Sequence, residues 1–236
     1  MKLSKRTWII FAVICIAVLG GLVYLSGKNK IDVSSADINK VQSAAAQSGE
    51  IADHVFGKAD SKVVLIEYGD FQCPGCGAAY QPVKEVTEKY KGQVAFIFRN
   101  FPLTTIHPNA RAAAAAAEAA SLQGKYWEMH DKLYETQTTW QNLSGKERTD
   151  FFAGYATDLG LNVDTFKADI AGKNVNQKIS FDQALGKKAN VSATPTFYLN
   201  GQKPETIYGE QGGVDSEKLE AAIVNELKKN GIDLPK

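Results

Sequence analysis

Two cysteines two residues apart, Cys73-Pro74-Gly75-Cys76, have the plainest capacity for chemistry in this chain. A dithiol at this spacing can close to a disulfide and reopen by thiolate attack, and so exchanges electrons without a cofactor. An apolar run precedes the pair and a helical pattern comes after it, and a Cys-x-x-Cys in such a setting reads as a redox motif. The unpaired N–H groups and positive dipole end of a helix start favour a thiolate at the first cysteine. Sites of this kind lower a thiol's pKa to about 3.5–7.5, from about 8.5 when free. Cys73, the more exposed, is therefore expected to be the nucleophile, and Cys76, one turn inside, to resolve the mixed disulfide. Pro74 and Gly75 are the spacer of the motif.

Other uses of the pair fit less well. A structural zinc wants a second such pair or added histidines. His54, His107 and His130 stand at no ligand spacing from it, so no metal is expected. Haem attachment needs a histidine directly after the second cysteine, where Gly77 stands. A structural disulfide closing so short a loop restrains little chain entropy. No cofactor is expected, and His107 and His130 receive no role. Cys15 lies inside an apolar run and reads as a small hydrophobe.

The elements that must hold the pair are legible around it. Val63 to Tyr68 reads as a buried strand, a helix is expected from the cysteines to Tyr90, and Val94 to Arg99 reads as a second strand. Strand, helix and strand make a βαβ unit with a parallel pair. Helices are then expected at Asn109–Leu122, Tyr126–Thr138, Lys146–Leu159, Asp164–Ala171 and Asn176–Ala189. Thr196 to Leu199 is a strand, Asn200-Gly201 a hairpin turn, Thr206–Gly209 a second hairpin arm, and Asp215–Lys229 a closing helix. The order is thus βαβ, a helical block, then ββα.

The amino-terminal end has a different composition. Lys2, Lys5 and Arg6 precede an uncharged run from Thr7 to Gly27, with Trp8 and Tyr24 near its ends. A bilayer-crossing helix needs roughly 20 apolar residues, and the flanking positive charges stay in the cytoplasm. The exit Leu22-Val23-Tyr24-Leu25-Ser26-Gly27 lacks the small residues of a cleavage site, so an uncleaved single-pass anchor is expected. Residues 28–52 read as a polar tether, with a short helix around Asp37–Gln47, and 53–236 as the α/β domain with its insertion at about 107–190. Lys and Arg total 27 against 26 Asp and Glu, so no basic excess argues for nucleic acid.

The stretch Glu67-Tyr68-Gly69-Asp70-Phe71-Gln72-Cys73-Pro74-Gly75-Cys76 closely resembles DsbA-like proteins of the thioredoxin superfamily, above all the membrane-anchored branch. Arg99-Asn100-Phe101-Pro102-Leu103, His107-Pro108, Gly124-Lys125-Tyr126-Trp127 and Val191 to Phe197 extend the likeness, which covers about Asp53 to Glu220. The resemblance implies a thioredoxin-like fold with an inserted all-helical subdomain. It implies that Thr194-Pro195 is the cis-proline loop beside the cysteines, placed to bind an extended substrate strand; the plain alternative is a trans proline opening a strand. It also matches Glu67 to the family's buried acid, whose raised pKa would suit proton transfer from Cys76. The alternative there is a strand-end carboxylate turned to solvent. Two departures stand out. Gly75 replaces the histidine of strongly oxidising members, and the second strand offers no lysine to accompany Glu67, Arg99 being the nearest cation.

Together these readings lead to the expectation of a monomeric, extracytoplasmic dithiol oxidase that introduces disulfides into secreted or surface proteins. A membrane quinone-linked partner is expected to re-oxidise it. A reductase or isomerase of the same fold is the alternative, and a redox-inert binding module a more distant one. A peroxidase would need a reactive cysteine outside the Cys-x-x-Cys, and none is present in the domain.

Overall fold

The computed structural model describes residues 5–28, 31–210 and 212–235. The chain divides into two units, Met1–Asp32 and Val33–Lys236. In the first, helix α1 (Lys5–Lys28) carries the apolar run, and Trp8, Ile9, Phe11 and Leu19 are exposed on it. Its described side chains end at Gly21, and among the described residues no helix is long and apolar enough to cross a membrane. Lys2 lies outside the described residues, as do the side chains of Lys5, Tyr24 and Lys28.

In the second unit β1 (Val55–Gly57), β2 (Val63–Gly69), β3 (Val94–Asn100) and β4 (Thr196–Leu199) form one sheet in the order β1-β3-β2-β4. β2 and β3 run parallel, Val63 opposite Val94 through Gly69 opposite Asn100, with α2 (Pro74–Lys89) as their crossover. β1 and β4 flank them antiparallel. β2 and β3 are buried along almost their whole length, which is why both read as unbroken apolar runs rather than as alternating ones.

Between β3 and β4 stand α3 (Ala110–Ser121), α4 (Tyr126–Glu135), α5 (Gln137–Trp140), α6 (Gly145–Asp158), α7 (Val163–Ile170) and α8 (Lys173–Lys188). α3 is nearly all alanine and buried, and its small side chains let α4, α7 and α8 approach it closely. The helix expected over Tyr126–Thr138 is two helices. Thr136 turns its hydroxyl back to the Lys132 carbonyl at 2.6 Å and leaves helical dihedrals, a local bond that competes with helix continuation. The chain closes with α9 (Ser216–Lys229), capped by Asp215 and packed on α2.

Two expectations at the edges are corrected. The Asn200-Gly201 turn forms with both residues at positive φ, and Leu199 bridges Gln202 across it. Pairing stops there because Pro204 has no N–H to offer; the chain makes a short 3-10 turn over Glu205–Ile207 and buries Ile207 instead of forming a second arm. β1, conversely, is too short to show any alternation in the sequence. The polar stretch read as a tether lies against the domain from Val33 onward. Lys188 donates to the carbonyls of Val33, Ser34 and Ala36, and the short helix there is a 3-10 turn at Ala46–Ser48.

That docking depends on a buried ionic cluster at the end of β3. Arg99, fully buried, donates to Asp53 at 2.8 Å, to Tyr68, and to the carbonyls of Ile38 and Lys40. Lys178 of α8 bridges Asp53 at 3.0 Å and Asp182 at 2.7 Å, while Asn100 links Asp182 to Glu118 of α3. Burial alone would raise Asp53, but Lys178 and Arg99 overcome it and hold the carboxyl below its usual range. One cluster thus joins the N-terminal segment, the sheet and the insertion. Removing one partner of a buried pair costs about 3–5 kcal/mol, because the charge left behind has no solvent. Asp53→Ala is expected to lower unfolding free energy by that order in urea melts at neutral pH, and a loss under about 1 kcal/mol would contradict it. The sign with pH is set by the lowered Asp53 pKa. Its contribution is full above the unfolded carboxyl value of about 3.9 and fades as pH falls below it.

Candidate active site

β2 delivers the chain to the cysteines through Asp70-Phe71-Gln72, and almost every polar group of that loop is held. The Asp70 carboxylate accepts from the backbone N–H of Gln72 and of Leu103, each at 2.8 Å, and pairs with His107 Nδ1 at 2.8 Å. Gln72 accepts from the Asn109 N–H and donates to the Gln141 carbonyl. Gln137, the first residue of α5, donates to the carbonyls of Phe71 and Cys73 at 2.8 and 2.9 Å. A Cβ at residue 77 would stand 2.6 Å from the Gln137 Oε1, so Gly77 is what lets α5 come this close. The helical insertion therefore clamps the loop that carries the thiols.

Cys73 is the N-cap of α2 with extended dihedrals, and Pro74 opens the helix at a position whose N–H would go unused. Cys73 is 8% exposed and Cys76 fully buried. The Cys73 pKa is lowered to about 5, first by a hydrogen bond from the Cys76 thiol and then, against burial, by Thr194 and by the N–H groups of Cys76 and Gly75. Thr194 acts in two senses. Its carbonyl accepts from the Cys73 thiol at 3.3 Å, which favours the protonated form, while its nearby side chain, whose hydroxyl makes no hydrogen bond to a described group, favours the thiolate. The thiolate contacts are the more numerous, and they prevail. Cys76 is pushed the other way, well above its ordinary value, by burial, by its bond to Cys73 and by the charge of Glu67.

The other residues singled out in the sequence come to the same place. Pro195 follows a cis Thr194–Pro195 bond, and its Cδ would stand 3.3 Å from a Cβ at residue 75, so its ring closes one side of the cysteine loop. Glu67 is buried near the end of β2, and burial followed by the Cys73 charge raises its pKa to about 8. Arg99 is spent on Asp53 and Tyr68. Glu67 instead lines a narrow cleft between α2, α4 and the sheet, together with Tyr80, Lys84, His130, Asp131 and Tyr134.

Asp70, Gln72, Gln137 and His107 carry no role in the sequence reading. Asp70 and Gln72 stand inside the quoted motif and could be found there; Gln137 has no local signal, because its partner lies 64 residues away.

Residues 50–225 match a family described as Thioredoxin. Among solved structures, a thioredoxin-like oxidoreductase from Silicibacter pomeroyi is 25% identical, covers 75% of this chain and 92% of its own, and superposes with a TM-score of 0.57. BdbD from Bacillus subtilis, in its oxidised form, is 24% identical over 80% of this chain and 98% of its own, with a TM-score of 0.62. MdbA, a thiol-disulfide oxidoreductase from Corynebacterium diphtheriae, is 20% identical, covers 79% and 93%, and gives 0.59. Likeness at the last two levels speaks for the thioredoxin-like fold alone. A curated relative named Na(+)/H(+) antiporter NhaA 1, from Salinispora arenicola, is 38% identical over 173 residues, 73% of this chain but 24% of that protein. The chain thus spans about a quarter of the length of such relatives.

The Cys73 ionisation can be tested directly. Because the Cys76 thiol is its foremost support, Cys76→Ala should move the thiolate absorbance inflection up from about 5, toward the free-thiol range. An inflection that stays near its starting value in the variant would show that the helix start alone sets it.

Proposed function

The chain belongs to the thioredoxin family, and on that premise we propose that it is a thiol-disulfide oxidoreductase working outside the cytoplasm as a dithiol oxidase through Cys73 and Cys76. One observation carries the direction of the reaction. Every contact that stabilises the Cys73 thiolate stabilises the reduced protein, and a pair whose reduced form is favoured is a strong oxidant.

The chemistry comes from the two unlike thiols. A substrate thiolate attacks the Cys73 sulfur of the disulfide, the S–S bond breaks, and Cys76 leaves as a thiolate. Buried Cys76 cannot keep that charge, and the protonated carboxyl of Glu67 supplies a proton. A second substrate thiolate then attacks the substrate sulfur of the mixed disulfide and expels Cys73, whose low pKa makes it a good leaving group. The substrate gains a disulfide and the protein keeps the electron pair as its dithiol. Thr194 and Pro195, beside Cys73, are the proposed rests for the substrate backbone.

Cysteine-containing secreted or surface proteins are the proposed substrates, and a membrane quinone-linked oxidase the proposed partner that restores the disulfide. The run from Thr7 to Gly27, with exposed apolar side chains on α1, supports a membrane anchor that leaves the domain outside. A reductase is the second reading, and Gly75 favours it, since this position offers the thiolate no side-chain donor.

Two measurements test this reading, the second its direction. Cys76→Ala should accumulate mixed disulfides with substrates on non-reducing gels, and Cys73→Ala none. Equilibration with glutathione should give a potential nearer about −120 mV than about −270 mV; a value at the lower end would turn the reading to reductase.

A further inference from the structure

Glu67 must give up and regain a proton in every cycle, yet it is buried. The cleft between α2 and α4 opens onto it. Two polar atoms buried among the residues lining that cleft have no partner among the described residues: His130 Nε2 and the Tyr134 hydroxyl. Unpaired buried polar atoms are rare and call for an explanation. Here they share a space with a carboxyl that needs a proton path.

His130 is fixed for the task. The edges of Phe71, Phe98 and Trp127 meet its ring, with centroids 5.5, 4.9 and 5.0 Å away. Its Nδ1 lies 3.0 Å from Asp131 Oδ1, and Asp131 is in turn 2.7 Å from the Lys84 ammonium. Burial would raise Asp131, but His130 and Lys84 hold its carboxyl below the usual range. An ionised Asp131 accepts the Nδ1 proton, which leaves the Nε2 lone pair free. Burial also keeps the imidazole neutral, opposed by Asp131 and assisted by the nearby Lys84 and His54. Tyr80 and Tyr134, both held protonated, border the same space.

Resting on the thiol-disulfide reading, we propose that His130, oriented by Asp131, passes protons between Glu67 and solvent through this cleft. After Glu67 has given its proton to the Cys76 thiolate, the imidazole takes a proton at Nε2 from solvent and hands it to the Glu67 carboxylate across the cleft, with Tyr134 alongside. Asp131 balances the transient imidazolium. When the dithiol is re-oxidised, Cys76 loses its proton to Glu67 and the same path carries it out. Only a proton moves in either direction, and no bond to sulfur passes through the relay. Protons and protein substrate thus use different sides of the molecule: the cleft for one, the Thr194-Pro195 face for the other.

The test is repeated turnover of a reduced dithiol peptide by the full-length protein at neutral pH, with excess oxidised glutathione restoring the disulfide, so that Glu67 must be reprotonated in each cycle. His130→Phe keeps an aromatic ring and removes both nitrogens. It should slow turnover at least ~10-fold, against the ~100-fold or more that general acid–base groups commonly contribute. In His130→Ala, which vacates the place of the ring, added imidazole should restore most of the rate. Asp131→Asn, at a partly exposed position that a fold tolerates, should slow it several-fold and decides the matter if the phenylalanine variant does not fold. In a Glu67→Gln background neither change should matter further, because the relay has lost its client. An unchanged rate, no rescue by imidazole, or equal slowing with and without Glu67 would each overturn the relay. A wild-type protein that oxidises no dithiol would instead overturn the functional reading, so the two failures are distinguishable.

Discussion

Cys73 ionises easily because Cys76, buried one turn along α2, gives it a hydrogen bond while being denied a charge of its own. The two thiols differ although they share one helix start, and the difference is made by burial more than by the helix dipole. A dipole acts on both cysteines of the first turn, whereas only Cys76 is fully buried and faces the Glu67 carboxyl. Everything that shapes this pocket, from the apolar run of β2 to the aromatic wall of α4, therefore acts on sulfur chemistry by controlling access to water.

The helical insertion is the second requirement. Gln137 and Asn109 hold the cysteine loop by its backbone and by Gln72, while α8 is tied to the sheet by Lys178 and Asp182. The ionic cluster and the active loop lie at the same end of the parallel strands: Arg99 and Asn100 stand opposite Tyr68 and Gly69, immediately before the loop.

Much of this is legible in the sequence, and the reasons are physical. The central strands and the main helices carry strong periodic or apolar signals, and the cysteine spacing names its own chemistry. The features that are not legible depend on distant partners or on single groups. Thr136 splits one expected helix, and Pro204 ends a hairpin after one bridge. The polar stretch after residue 32 reads as free tether because its composition buries little apolar surface. It docks through backbone carbonyls, which composition does not reveal, offered to Arg99 and Lys188. His130 reads as idle for the same reason, since its partners are an adjacent carboxylate and a cleft built from three elements.

The proposed mechanism has one buried carboxyl hold a proton for a thiol that cannot stay charged, and the protonation of Glu67 itself is the closest check on that assignment. Carbon-13 labelling of glutamate, with NMR titration of the dithiol protein and Glu67→Gln to assign the signal, reads that carboxyl alone. Glu67 is expected to titrate near 8. A midpoint in the ordinary carboxyl range of about 4.3 would mean that Glu67 is already ionised at neutral pH and has no proton to give Cys76.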